Sequence, residues 1–378
     1  MSKKTINKNI IFIIIMVIIL SQSILNPKLA INSVMEGLNL WFYNVMPSLL
    51  PFMIFSNILF KMNTAYYLKK IFNKFMNKIM NVSGSGILPL FMGYISGYPL
   101  GSKLVCDLRK EDYISLKESY KLLALCCTTG PAFIISIVSL QMFNNMAVAP
   151  ILLISNYLGA ILNALILKKF YKEKINSTFT IYHDDLSITK ILNDAITNSI
   201  NSVIKIGGYI IFFKIIINYL DNIYIIDSIS RVLFNYFNVF NVSYDCIKGA
   251  FYGIFEITIG INAISQCNDP LILKLAITSF LIAWSGFSIH MQTNSFILDT
   301  DISFNKYMIG KISQSFLSLF ICVITYKILY PTTISVYMAM DTLKTWRIYD
   351  YISIYYCSLI FLIFSTILLW IINKKTKN

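Results

Sequence analysis

Long apolar runs rich in Ile and Phe alternate with short Lys-rich segments along the whole chain. A helix that crosses a hydrocarbon core needs about 20 apolar residues. On that measure the pattern predicts full spans at about 9–25, 36–60, 122–143, 147–167, 192–219, 274–299, 308–330 and 351–372. Two further apolar stretches, about 86–105 and 248–266, are interrupted by Gly and polar residues. They read as re-entrant hairpins, because non-helical backbone at membrane depth persists only where protein or a water-filled cavity satisfies it. Residues 61–83 and 168–190 read as basic cytoplasmic loops, and 220–247 and 331–349 as outward segments that are partly amphipathic at the interface. The predicted fold class is an all-α polytopic membrane protein, with about eight transmembrane helices and two re-entrant helical hairpins in a single domain over residues 1–378.

Composition narrows the function. Charged residues make up 13% of the chain and apolar ones 56%, against about 25% charged in a soluble domain, which excludes a soluble globular enzyme. The net charge of +14 would suggest nucleic acid in a soluble protein. Here the cations sit between apolar runs, where the positive-inside rule puts them, so lipid rather than nucleic acid is the expected partner. With the N-terminus cytoplasmic, that side holds Lys3, Lys4 and Lys8, five cations in 61–78, five in 103–121, five in 168–190, Lys306 and Lys311, and three in 374–377. The other side holds Lys28, Arg231, Lys248, Lys344 and Arg347. This asymmetry places both termini in the cytoplasm. Lys3, Lys4 and Lys8 before an apolar run look like a signal sequence, but no small-x-small cleavage site follows, so the first run reads as an uncleaved span.

The seven cysteines form no C-x-x-C pair and read as small buried hydrophobes, and His183 and His290 cluster with no other ligands, so neither a metal site nor a cofactor is expected. No H-E-x-x-H, phosphate loop or G-x-S-x-G is present, and no enzyme activity is expected.

A weak duplication is the most informative feature. The unit over 36–143 runs from a span to the Gly-rich GYISGYPLGSKLV at 93–105, then to a span broken by CTTGPAFII. The unit over 192–299 runs from a span to GIFEITIGINAIS at 253–265, then to a span broken by WSGFSIHMQTNS. On the charge map the first hairpin dips in from the cytoplasm and the second from the opposite face. Inverted repeats with discontinuous helices are the construction of many secondary transporters, whose sites lie near the midplane where half-helices meet.

At GYISGYPLGSKLVCDLRK, KLLALCCTTGPAFII and the matching segments of the second unit, the sequence resembles the YlbJ/SpoVV sporulation integral membrane proteins. The resemblance covers roughly residues 36–330. That family carries paired nucleoside-recognition (Gate) segments and is distantly similar to concentrative nucleoside transporters. The resemblance implies export of dipicolinic acid from the mother cell across the outer forespore membrane. A non-transporting assembly factor for spore formation and a nucleoside-type transporter are the alternatives.

Candidate binding residues follow from the breaks. Thr128 or Thr129 can cap a half-helix beginning at Pro131, and with Gly130 would present N–H groups to a carboxylate. In the first hairpin Gly93, Gly97 and Gly101 permit tight turns, Ser96, Tyr98 and Ser102 offer hydroxyls, and Lys103 is either a ligand cation or the first loop charge. Glu256 is the only acid in the second hairpin, with Thr258 and Asn262 nearby; a carboxylate at membrane depth is a functional candidate by default. Ser285 marks the second break, followed by His290, Gln292 and Asn294, which can bond an anion or relay a proton. Lys205 is either a counter-ion or a snorkelling side chain. The coupling ion, proton or sodium, and the oligomeric state are left open by the sequence.

Overall fold

A computed structural model describes residues 3–172, 187–237 and 241–341. The expected last span at 351–372, His183 and Cys357 lie outside them. The described residues are almost entirely helical, with no strand among them. The chain runs through α1 (Lys3–Leu25), α2 (Pro27–Asn39), a π-helical stretch (Leu40–Val45), α3 (Met46–Lys61), α4 (Thr64–Met80), α5 (Ile87–Ser96), α6 (Leu100–Lys110) and α7 (Leu116–Cys126). A second π-helical stretch (Phe133–Met142) leads to α8 (Ala149–Phe170), α9 (Ile188–Asn222), α10 (Ile225–Phe237), α11 (Tyr244–Phe255), α12 (Ile257–Gln266), α13 (Leu271–Trp284), α14 (Gly286–Ile297) and α15 (Phe304–Asp341).

Polarity is distributed as a bilayer demands. Along α15, Lys311, Gln314, Ser315 and Ser318 are buried, while Ile309, Ile312, Phe316, Phe320 and Ile324 are exposed. Lipid is as apolar as these side chains, so the helix gains by turning hydrogen-bonding groups inward and leaving Ile and Phe outside. Among the described residues four helical segments are long and apolar enough to cross a membrane: Met146–Phe170, Ile188–Asn222, Leu271–Ile297 and Phe304–Tyr330. They correspond to four of the eight expected spans. The expected 9–25 and 36–60 fall in helices whose apolar parts, Met16–Leu25 and Leu49–Lys61, are shorter, and 122–143 is interrupted.

Several segments differ from their sequence reading. Residues 61–83 are not a loop: α4 fills most of that range, and it meets the following Gly84–Ser96 segment at 91°. Lys70, Lys74 and Lys78 share one exposed face, while Ala65, Met76 and Met80 on the other are buried, so a high Lys content concealed an amphipathic helix. Residues 220–247 contain α10, and α15 continues eleven residues beyond the expected end of its span, to Asp341. Lys103, Lys121 and Lys311, counted above as cytoplasmic charges, are all buried. Lys121 donates to Asn81 O, and Lys103 Nζ donates to Asn57 Oδ1 and Asp107 Oδ2, both at 2.7 Å.

Ion pairs sort the helix ends into two sets. Lys61–Asp194 (2.9 Å), Arg109–Asp301 (2.9 Å) and Lys110–Asp299 (3.0 Å) join α3, α6, α9 and the α14–α15 loop, and Tyr113 OH donates to Asn63 Oδ1 within the same set (3.1 Å). A separate group joins Lys248 to Asp227 (2.8 Å) and Asp221 (3.4 Å), tying α9, α10 and α11. Exposed pairs contribute only about 0–1 kcal/mol each, so they set orientation more than stability. Lys214 pairs with Glu36 across α9 and α2 (2.8 Å).

Glycine sets the closest helix packing. A Cβ on Gly93 or Gly101 would collide with Cys126 O, and one on Gly260 would collide with the Gly253 backbone. These glycines lie within helices and allow close approach rather than turns, contrary to the reading of Gly93 and Gly101 above. Gly101→Ala should therefore destabilise the protein by about 1–3 kcal/mol or more. Gly208→Ala, whose Cβ meets nothing within 4 Å, should be neutral or stabilising by up to about 1 kcal/mol. Thermal unfolding of the detergent-purified variants measures the contrast, and equal midpoints would contradict it.

Candidate functional site

Among the described residues, four helix breaks pack against one another in two pairs. In the first pair, α5 ends at Gly97 (φ 88°), a cis Tyr98–Pro99 bond follows, and α6 starts at Leu100. Opposite it, α7 ends at Cys126 and helical structure resumes at Pro131. Gly97 and Thr129 pair as a single antiparallel bridge. A Cβ on Gly130 would lie 2.9 Å from Ser96 O. Tyr157 OH, reaching in from α8, lies 3.3 Å from Thr129 O and 3.4 Å from Tyr94 O. Backbone groups released by each break thus find partners in the other break or in α8. Pro131 occupies the expected first helical position. Thr128 does not cap the new helix: its Oγ1 is buried without a hydrogen-bond partner.

In the second pair, α11 and α12 are separated by Glu256 in extended conformation (φ −143°). Its carboxylate caps α12 by accepting from Ile259 N (2.8 Å) and from Thr258 Oγ1. The α13–α14 break places both Ser285 and Gly286 at positive φ (79° and 78°). A Cβ on Gly286 would lie 3.0 Å from Phe255 O, and Trp284 Nε1 donates to Ile254 O (3.0 Å). Ser285 is buried and its Oγ turns back to Ala283 O (3.4 Å).

A buried polar network joins the first break to α14 and α15. Ser102 Oγ lies 3.2 Å from Thr293 Oγ1, which lies 3.9 Å from Cys127 Sγ. Cys127 Sγ is 3.4 Å from Tyr307 OH, and Tyr307 OH is 3.0 Å from His290 Nδ1. The His290 ring lies against Trp284, with centroids 4.4 Å apart. Lys311 Nζ donates to Cys127 O (2.8 Å) and Gln314 Oε1 (2.9 Å). Both acceptors are neutral, and among the described residues no carboxylate forms an ion pair with Lys311. Burying an unpaired ammonium is costly by several kcal/mol. Three further donor-capable atoms in this network lack a partner: Thr128 Oγ1, His290 Nε2 and Gln314 Nε2.

The predicted site residues separate accordingly. Ser102, Thr128, Thr129, Gly130 and His290 come together around the first break. Ser96 and Tyr98 stand at the tip facing it, the Ser96 hydroxyl without a partner. Glu256, Thr258 and Ser285 form the second pair. Gln292 Nε2 bonds Ser288 Oγ on its own helix (3.3 Å), and Asn294 is half-buried further along α14. Asn262 is exposed and does not join the site, and Lys103 is neutralised by Asp107 rather than free for a ligand. Lys205 is exposed on α9, so it acts as no buried counter-ion. Sequence reading missed Cys127, Tyr307, Lys311 and Gln314. A signal existed: Lys311, Gln314, Ser315 and Ser318 recur at helical spacing within an otherwise apolar span.

No family model matches the chain. The chain is similar to the sporulation integral membrane protein YlbJ of Bacillus subtilis (strain 168), with 29% identity over 324 residues covering 81% of this chain and 79% of that protein. Among solved structures it is similar to CNTnw in an inward-facing substrate-bound state, at 11% identity and a TM-score of 0.48 over 75% of this chain and 76% of that one. It is also similar to a doubly substituted variant of CNTnw in an outward-facing state, at 11% identity and a TM-score of 0.45 over 84% of this chain and 83% of that one.

Tyr307→Phe should leave His290 Nδ1 and Cys127 Sγ without their common partner and destabilise the protein by about 1–3 kcal/mol. Ser102→Ala, which leaves the Cys127–Tyr307–His290 contacts in place, should cost less. Unfolding midpoints of the two variants check the order, and the reverse order would contradict it.

Proposed function

We propose, starting from its likeness to a sporulation integral membrane protein, that this chain is a membrane transporter for a small anionic solute held where its interrupted helices meet. The observation that carries the reading is Lys311: a buried ammonium with two neutral acceptors and no carboxylate, beside unpartnered donors on Thr128, His290 and Gln314. A carboxylate entering this network would compensate the charge, whereas an uncharged solute would leave the ammonium unpaired.

The contacts at the helix ends favour an inverted arrangement. The foot of α6 pairs with the α14–α15 loop through Arg109 and Lys110, whereas the foot of α11 pairs with the far end of α9 through Lys248. We read residues 36–143 and 192–299 as two oppositely oriented units, their hairpins re-entrant and their tips at mid-bilayer. The N-terminus is cytoplasmic on this reading. Dipicolinic acid, the cargo implied by the family resemblance, carries two carboxylates on a heteroaromatic ring, which suit the Lys311 ammonium near Trp284 and His290. The outer forespore membrane is the corresponding location.

Flux into proteoliposomes tests this. Dipicolinate should enter and its diamide should not, and Lys311→Met should slow dipicolinate flux at least about tenfold, the loss of one charged hydrogen bond, while eluting as a monodisperse protein. Equal flux of dipicolinate and diamide, or undiminished flux in Lys311→Met, contradicts the reading. Absence of any flux from intact protein favours the non-transporting assembly role.

A further inference from the structure

The feet of α11 and α12 meet at a cluster remote in function from the breaks. Cys246 lies in the first turn of α11, Cys267 follows α12, and Asp269 lies two residues further on. Both thiol sulfurs and a carboxylate oxygen lie within 4.8 Å of one another, and all three residues are buried. A tetrahedral zinc-class ion with Zn–S bonds of about 2.3 Å holds its sulfurs roughly 3.8 Å apart. Side-chain rotations of about 1 Å would therefore close these atoms around such an ion.

The surroundings suit the ligands. Ser243 N–H donates to Asp269 Oδ1 (2.9 Å), and Ser243 Oγ to the other oxygen, which orients the carboxylate. A carboxylate has about four acceptor positions, so it can still ligate a metal. Lys274 stands next to the cluster, donating to Ser265 O (3.0 Å) and Cys267 O (2.9 Å). Two thiolates and a carboxylate carry three negative charges, and a divalent ion with the Lys274 ammonium supplies three positive ones. The buried assembly would be neutral with the ion in place.

We propose that Cys246, Cys267 and Asp269 bind a thiophilic divalent cation of the zinc class, with water as the fourth ligand. Binding releases the two thiol protons to solvent. The ion ties the start of α11 to the segment after α12, so the two arms of this hairpin behave as one body. Metal binding at this cluster is independent of the transported solute.

The full-length protein, purified in detergent and stripped with a chelator, is titrated with cadmium as the spectroscopic probe. The expected result is one ion per chain with a thiolate-to-metal charge-transfer band. The band should disappear in Cys246→Ser and in Cys267→Ser, weaken in affinity at least tenfold in Asp269→Asn, and persist in Asp269→Glu. If a serine variant does not fold, proton release from the wild-type protein decides, because each cadmium ion held by two thiols should release about two protons on binding. The proposal is overturned by the absence of the band, by its survival in both serine variants, by cadmium binding without proton release, or by a Cys246–Cys267 disulfide in freshly purified protein.

Discussion

Broken backbone inside a bilayer has to find its hydrogen bonds in protein, and the architecture follows from how this chain meets that demand. At the first break Gly97 pairs with Thr129 while Gly93 and Gly101 close around Cys126 O. At the second, Gly286 approaches Phe255 O and the carboxylate of Glu256 accepts from the Ile259 N–H at the start of α12. The first pair is joined by a backbone bridge and the second by Trp284 Nε1 donating to Ile254 O, while Glu256 caps the helix that follows it.

That pairing leaves side chains, rather than backbone, unsatisfied. Glu256 is bound to Thr258 and Ile259 and acts as a structural cap. The network around Cys127 is different. It carries a cation with neutral acceptors and several idle donors, and no described acid balances it. A core built only for stability would have an apolar residue in place of Lys311, since a buried ion rarely improves on a well-packed hydrophobe. An arrangement deficient in negative charge makes sense if an anion visits it.

What could be read from the sequence follows the range of the physics. The breaks at TTGP and WSGFS were legible because Gly, Pro and polar residues inside apolar runs act locally. So was Pro131 at the first position of a new helix. The role of Gly93 and Gly101 was not, because it depends on the carbonyl of Cys126, far away in the chain. The lysines of α4 outweighed its apolar face and made a helix look like a loop. Lys311 illustrates the cost of treating charge as topology alone: at the edge of an apolar run it was counted with the loop cations, although Gln314, Ser315 and Ser318 marked the same inward face. Glu256 was identified as a buried acid, but its role as a cap depended on the backbone at its own position.

The relation between the breaks and the cation is best examined by an experimental density map of the purified protein with an aromatic dicarboxylate bound. The account predicts interrupted helices at 127–130 and at Ser285, and ligand density with a carboxylate within hydrogen-bonding distance of Lys311 Nζ and beside Thr128 and His290. Continuous helices through those positions, or a ligand seated away from Lys311, would contradict it.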